Sequence, residues 1–216
     1  MKRVLFLIFL AMTAGGLFAQ DIALGKPPAK LGIDVVTAIK GRSAAREFVK
    51  KDASVADLSA IVWAGNGPKG PDAVSGASKA GATIPVSGDV NYVNLYVLSP
   101  KGVFLYEPTA NVLKQVNRKD ARGDITQENI ATAAFMVLFT VDTTKTPAFL
   151  KGMPALVHDI AVATASYGAQ NIGLVAAGLN LSSIVMFNIK PDAVASALKL
   201  SKDEQPLFIM QLGYTK

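Results

Sequence analysis

Two arginines four positions apart, in the run Gly41-Arg42-Ser43-Ala44-Ala45-Arg46-Glu47-Phe48, carry the clearest chemistry in this chain of 216 residues. Leu31, Val35 and Ile39 recur before them at helical spacing, and Gly41 suits a helix C-terminus. The pattern predicts one turn bearing two permanent cations, a hydroxyl and free backbone N–H groups, an arrangement that holds a phosphate. Taken alone, the pair reads as ordinary surface cations near a helix C-terminus, which the macrodipole favours. Its weight comes from three later runs: Trp63-Ala64-Gly65-Asn66-Gly67, Pro85-Val86-Ser87-Gly88-Asp89-Val90-Asn91, and Gln170-Asn171.

Other chemistries find little support. The chain has no cysteine, which removes thiolate nucleophiles, thiol redox chemistry and cysteine–metal sites. His158 is the only histidine, and no carboxylate cluster accompanies it, so no metal site is expected. No Gly-x-Ser-x-Gly elbow, Walker loop or dinucleotide glycine pattern occurs. Redox work by such a chain needs a bound cofactor.

The elements that must position these residues can be read along the chain. Met1-Lys2-Arg3, the apolar run from Val4 to Met12 and the small residues from Thr13 to Ala19 have the layout of a secretory signal peptide over residues 1–19, cut after Ala19. Export is therefore expected, periplasmic or secreted, with no membrane span left after cleavage. Without Lys2 and Arg3 there remain 20 basic and 16 acidic residues, a net charge of +4. These charges are scattered, so nucleic acid is not an expected partner. Residues 20–30 read as an extended leader and residues 31–216 as one domain, since half the residues are apolar and the length suits a single core.

Ser54-Val55-Ala56-Asp57 reads as a capping box opening a helix with Leu58, Ile61 and Val62 inward. The Gly-rich stretch from Asn66 to Thr83 reads as a functional loop. Residues 91–98 alternate as a strand with Val93, Leu95 and Val97 on one face; Asn94 and Tyr96 then fall on its wet face. Val103 to Tyr106 is the returning strand, Asn117 to Asn129 a polar helix and loop, and Phe135 to Val141 a buried strand. Ile160 to Ile189 has no charge, yet its Gln, Asn and Ser residues favour a core helix from Pro154 to Ala177 over a membrane span. Ser183 to Phe187 reads as a strand, Pro191 opens a helix, and Leu207 to Leu212 is the last strand. Helices and strands without regular alternation define an α+β class.

The order of these pieces resembles the FMN-dependent nitroreductase family from about Leu31 to Lys216. Arg42, Ala44, Arg46 and Phe48 occupy the places of an Arg-x-Ser-x-Arg-x-Phe-like turn. Ile61-Val62-Trp63-Ala64-Gly65-Asn66-Gly67 matches a helix end found in one branch. Thr83-Ile84-Pro85-Val86-Ser87-Gly88-Asp89 stands for a Thr-x-Pro-Ser-Ala-x-Asn-like loop. Gln170-Asn171, Ala176-Ala177-Gly178-Leu179 and the closing Leu212-Gly213-Tyr214 follow in family order. The resemblance implies a central, mostly antiparallel sheet flanked by helices, in an intertwined homodimer with FMN at the interface. It implies a flavin oxidoreductase exchanging electrons with small-molecule donors and acceptors, such as nitro or quinone-like compounds. Arg42 and Arg46 would pair with the FMN phosphate, and Ser43 and Ala44 would offer donors beside them. Pro85, Val86 and Ser87 would lie against the flavin ring, with Asp89 and Asn91 at its polar edge. Leu181 and Ser182 would present N–H groups near N5. No catalytic side chain is assigned.

The chain also departs from the family pattern. Ala44 replaces a serine, Val86 stands at the loop serine, and Asp89 replaces an asparagine and would disfavour an anionic reduced flavin. Ala82 and Ile184 fall where basic residues occur, and Lys216 is read as a substitute for the missing cation. A non-catalytic flavin-binding or carrier protein is therefore the alternative reading. Trp63 reads as core or interface, and Gln170-Asn171 either bridges helices or touches flavin.

Overall fold

The computed structural model describes residues 20–69, 81–87, 90–126 and 132–215. Residues 1–19, with the expected signal peptide, lie outside these, as do Asp89, Lys216 and the middle of the glycine-rich loop.

Among the described residues, four α-helices and seven strands follow from the local sequence. Gly32, with φ +76°, keeps Leu31 out of the first helix, which starts only after Asp34 accepts bonds from the Val36 and Thr37 N–H groups. The helix α1 then runs Val35–Gly41. In α2, Val55–Asn66, the expected capping box is formed: Ser54 Oγ accepts from the Asp57 N–H, and Asp57 accepts from the Ser54 N–H. The long α3, Pro154–Gly178, opens on a proline and is rich in small residues. Pro191–Leu198 forms α4. No described helix is long and apolar enough to cross a membrane.

The strands are β1 Ile22–Ala23, β2 Val93–Ser99, β3 Gly102–Glu107, β4 Val112–Asn117, β5 Phe135–Asp142, β6 Ser182–Met186 and β7 Glu204–Gly213. They form one seven-stranded sheet ordered β1-β4-β3-β2-β5-β7-β6, antiparallel at every pairing. The expected extended leader thus adds a short edge strand to the sheet. Pro206, which has no N–H for the ladder, sits at the register shift between β5 and β7.

The central strands bury both faces. One core lies between the sheet and α2 and α3, around Phe104, Phe135, Phe139 and Phe208. The other lies under α4, around Leu98, Met136, Leu138, Ile209 and Leu198. The small residues of α3 let α2 come very close: a Cβ added to Gly168 would stand 2.5 Å from the Gly65 carbonyl oxygen. Gly65 in turn leaves room for Ile172 and Leu95.

Two expectations are corrected. Tyr96 is buried and Asn94 half-buried, because the second core covers that face of β2. Both donate to the Glu204 carboxylate, at 3.1 and 2.8 Å, and Thr140 joins them. Burial, reinforced by the Glu204 charge, pushes the Tyr96 phenol above its ordinary value of 10. The polar stretch after Asn117 forms turns and no helix through residue 126. Its partner is the buried Arg122, whose fork grips both Asp120 oxygens at 2.9 and 2.7 Å and whose Nη1 donates to the Ala133 carbonyl. A buried guanidinium so satisfied holds a loop in place of helical hydrogen bonds.

Candidate functional site

The arginine run leaves the helix at its first residue. Arg42 has φ −60° and ψ 119°, its N–H still donating to Ala38 O, and the chain continues without helix to Phe48. Arg42 and Arg46 therefore lie along a strap that leaves the helix extended at Arg42 and bends at Arg46, and not on a helical turn. The strap is pinned at both ends. Ser43 Oγ lies 2.9 Å from Ser182 Oγ, and the Ser183 N–H donates to Ser43 O at 3.3 Å. At the other end Phe48 is buried over Gly213, where a Cβ would stand 2.6 Å from its ring, and the Val49 N–H donates to Tyr214 O at 2.7 Å. Tyr214 is held by its hydroxyl donating to Asp57 Oδ2 at 2.7 Å, with Lys51 Nζ 3.8 Å from its ring centre.

Extended backbone alternates its side chains. Arg42 and Ala44 accordingly face a cavity of about 350 Å³, while Ser43 between them meets β6. The far wall is α3, through Ser166, Ala169, Gln170 and Gly173; the floor is β6 and β7, through Ser183, Val185, Phe208 and Met210. The glycine matters, since a Cβ at position 173 would press within 3.1 Å of the Arg42 stem. The lining thus combines a guanidinium, an amide and hydroxyls with apolar and aromatic side chains. Such a lining suits a molecule that carries both an anionic group and an apolar part.

The expected residues divide on this geometry. Arg42 and Ala44 line the cavity. Ser43 and Ser182 bond to each other behind it. Arg46 is exposed and is not among the lining residues. Leu181 is buried, and its N–H already donates to Ala176 O at 2.8 Å, closing the end of α3. The strand residues at the cavity are Ser183, Ile184 and Val185. Because the Ser183 N–H points outward to Ser43, the Val185 backbone also points away from β7 by the alternation of an antiparallel ladder.

Pro85, Val86 and Ser87 do not line the Arg42 cavity. Their loop is tied to the other flank of α3, where Asn171 Nδ2 donates to Thr83 O at 3.0 Å beside a second cavity of about 460 Å³ lined by Trp63, Lys69 and Leu174 among others. Gln170 and Asn171 thus serve different sides of α3. Asn91 is engaged structurally: its amide donates to Asn66 Oδ1 and its carbonyl accepts the Val93 N–H at 3.1 Å, while Asn66 donates to Val93 O at 2.9 Å. Trp63 Nε1 donates to Pro68 O at 3.0 Å and reads as structural. Among the described residues no group of three or more acidic or histidine side chains could hold a metal ion.

Sequence reasoning missed Gly173, Ser183, Val185, Phe208 and Met210. The signals were present: a helix of small residues without charge from Ile160 onward, and period-two alternation in the strands that follow it.

With this fold and cavity in view, the class is clear: the chain belongs to the nitroreductase family, whose family model matches residues 39–214. Its fold is similar to that of a protein from Ralstonia eutropha JMP134 assigned as a nitroreductase, at 24% identity and a TM-score of 0.79, covering 91% of this chain and 90% of that one. A protein from Anabaena variabilis ATCC 29413 with the same assignment shares 19% identity at a TM-score of 0.72, covering 93% of this chain and 42% of the other. The NADPH:FMN oxidoreductase of Vibrio harveyi, complexed with NAD+, shares 16% identity at a TM-score of 0.59, with coverage of 84% and 69%. No curated protein matches the chain in a sequence comparison.

Proposed function

We propose that the protein is an FMN-dependent oxidoreductase that exchanges electrons with a small organic substrate. The observation that carries this reading is the Arg42 cavity, whose lining joins a guanidinium to apolar and aromatic side chains, in a chain of the nitroreductase family. The donor set fits the cofactor. Arg42 would hold the phosphate, with Gln170 and Ser183 nearby, and Phe208, Met210 and Val185 would receive the ring. When bound, the flavin supplies hydride exchange at N5. The outward N–H of Val185 is placed to stabilise negative charge at the ring edge, the role expected of Leu181 and Ser182. Arg46 stands further along the same strap as a second cation for an anionic end.

A second copy of the chain completes this reading. Pro85, Val86 and Ser87 do not line their own Arg42 cavity, so as ring contacts they act across a homodimer interface. The apolar residues left in solvent on α1, Val35, Val36 and Ile39, are 63%, 54% and 56% exposed and fit such an interface. Asp89 keeps its proposed place at the ring edge on sequence grounds alone. Export follows from the signal-like residues 1–19, and nicotinamide donors are cytoplasmic, so the reductant is another small donor or the flavin itself accepts from the substrate.

The visible absorption spectrum of the mature protein, followed by steady-state assays with a quinone, tests this. A flavin spectrum with turnover supports the enzyme. A flavin that is neither reduced by any donor nor reoxidised faster than free FMN favours a carrier. Colourless protein that stays so after incubation with FMN overturns both.

A further inference from the structure

We infer that Phe187 is a specificity-determining residue, forming the aromatic face on which a planar acceptor stacks at the open side of the Arg42 cavity; this rests on the flavin reading of that cavity. Phe187 is 67% exposed, more than any other large apolar side chain among the described residues. It follows directly on β6, two residues beyond Val185, which lines the cavity and is itself 40% exposed. Its ring is held against Phe208, with centroids 5.3 Å apart and planes inclined by 51°. Phe208 lines the cavity and leans in turn on the buried Phe139 at 5.3 Å.

The arrangement fixes one side of the Phe187 ring and leaves the rest to solvent. A phenyl ring backed in this way is a rigid platform, which suits a planar aromatic or quinoid molecule better than a small inorganic acceptor. Phe187 thus adjoins the cavity through Phe208, which lines it together with Arg42. The side chain needs no proton or charge for this and takes no part in bond making.

The test compares the FMN-loaded protein with Phe187→Leu and Phe187→Trp, using 1,4-naphthoquinone and ferricyanide as acceptors. Binding of 1,4-naphthoquinone without reductant is measured separately by calorimetry. Phe187→Leu is expected to raise both KM and the dissociation constant for the naphthoquinone by about 3- to 10-fold, with Phe187→Trp restoring them. Flavin retention and ferricyanide kinetics should stay unchanged. Unchanged naphthoquinone binding in Phe187→Leu overturns the inference, as does a parallel loss with ferricyanide, which would mark a structural role. Should the protein hold no FMN, the cofactor reading fails by itself, and the calorimetric arm still decides for or against Phe187.

Discussion

Gly173 makes room for Arg42: a Cβ built on this helical glycine would stand 3.1 Å from Arg42 Cδ and 3.4 Å from its Cγ. The arginine stem lies against α3 at a position where the helix presents no side chain, and an added Cβ would press on it. Gly173→Ala separates packing from function. Alanine favours the helix by up to about 1 kcal/mol over glycine, so the unfolding midpoint should hold or rise. The displaced guanidinium should still weaken FMN binding by about 5- to 30-fold, as expected for about 1–2 kcal/mol of a lost charged contact. Urea unfolding and an FMN titration on the same sample check both halves.

The other end of the strap depends on Gly213, where a Cβ would stand 2.6 Å from Phe48 Cγ and 2.9 Å from its Cβ. The Phe48 ring is buried and cannot swing into solvent without loss. Gly213→Ala is therefore expected to cost about 1–3 kcal/mol of stability through overpacking. FMN affinity should fall with it, because the strap that carries Arg42 would lift. Retention of full affinity at reduced stability would show that the two ends of the strap are independent.

The pair Asp57–Tyr214 sets a pH window. Burial opposes ionisation of Asp57, but the Tyr214 and Ser54 hydroxyls, the Ser54 N–H and the Lys51 charge together hold its carboxyl below the ordinary 3.8. Burial and the hydrogen bond to Asp57 push the Tyr214 phenol up to about 12. A depressed acid contributes stability above its unfolded value, and this is lost as pH falls through the folded one. A raised phenol contributes below its unfolded value near 10, and this is lost as pH rises towards 12. Asp57→Asn should flatten the acid limb of a stability profile, and Tyr214→Phe the alkaline limb between pH 10 and 12. An unchanged acid limb in Asp57→Asn would remove Asp57 as its cause.

Much of the fold was legible because local patterns agreed with tertiary burial. The capping box at Ser54, the continuous apolar run of β5 and the small-residue helix α3 each pointed to one structure. The strap was misread because a spacing of four fits a helical turn as well as two repeats of an extended chain. What decides between them is Phe48 over Gly213 and Ser43 against β6, contacts distant in sequence. Asn94 and Tyr96 looked wet because their partner, Glu204, lies some hundred positions away. Leu181 was read as an N–H donor because the sequence does not reveal that α3 closes with the Leu181 N–H on Ala176 O. Pro85 to Ser87 do not line the Arg42 cavity of their own chain, which local spacing had no means to show.

The most direct test of the central claim is the FMN dissociation constant of Arg42→Ala, read from quenching of flavin fluorescence, beside Arg46→Ala and the double variant. Removing a charged hydrogen-bonding partner of about 1.5–3 kcal/mol should weaken FMN by about 10- to 100-fold in Arg42→Ala, with an unchanged unfolding midpoint. The double variant should retain no flavin through purification. Wild-type affinity in Arg42→Ala, with the fold intact, would contradict the assignment of the strap cavity as the phosphate site.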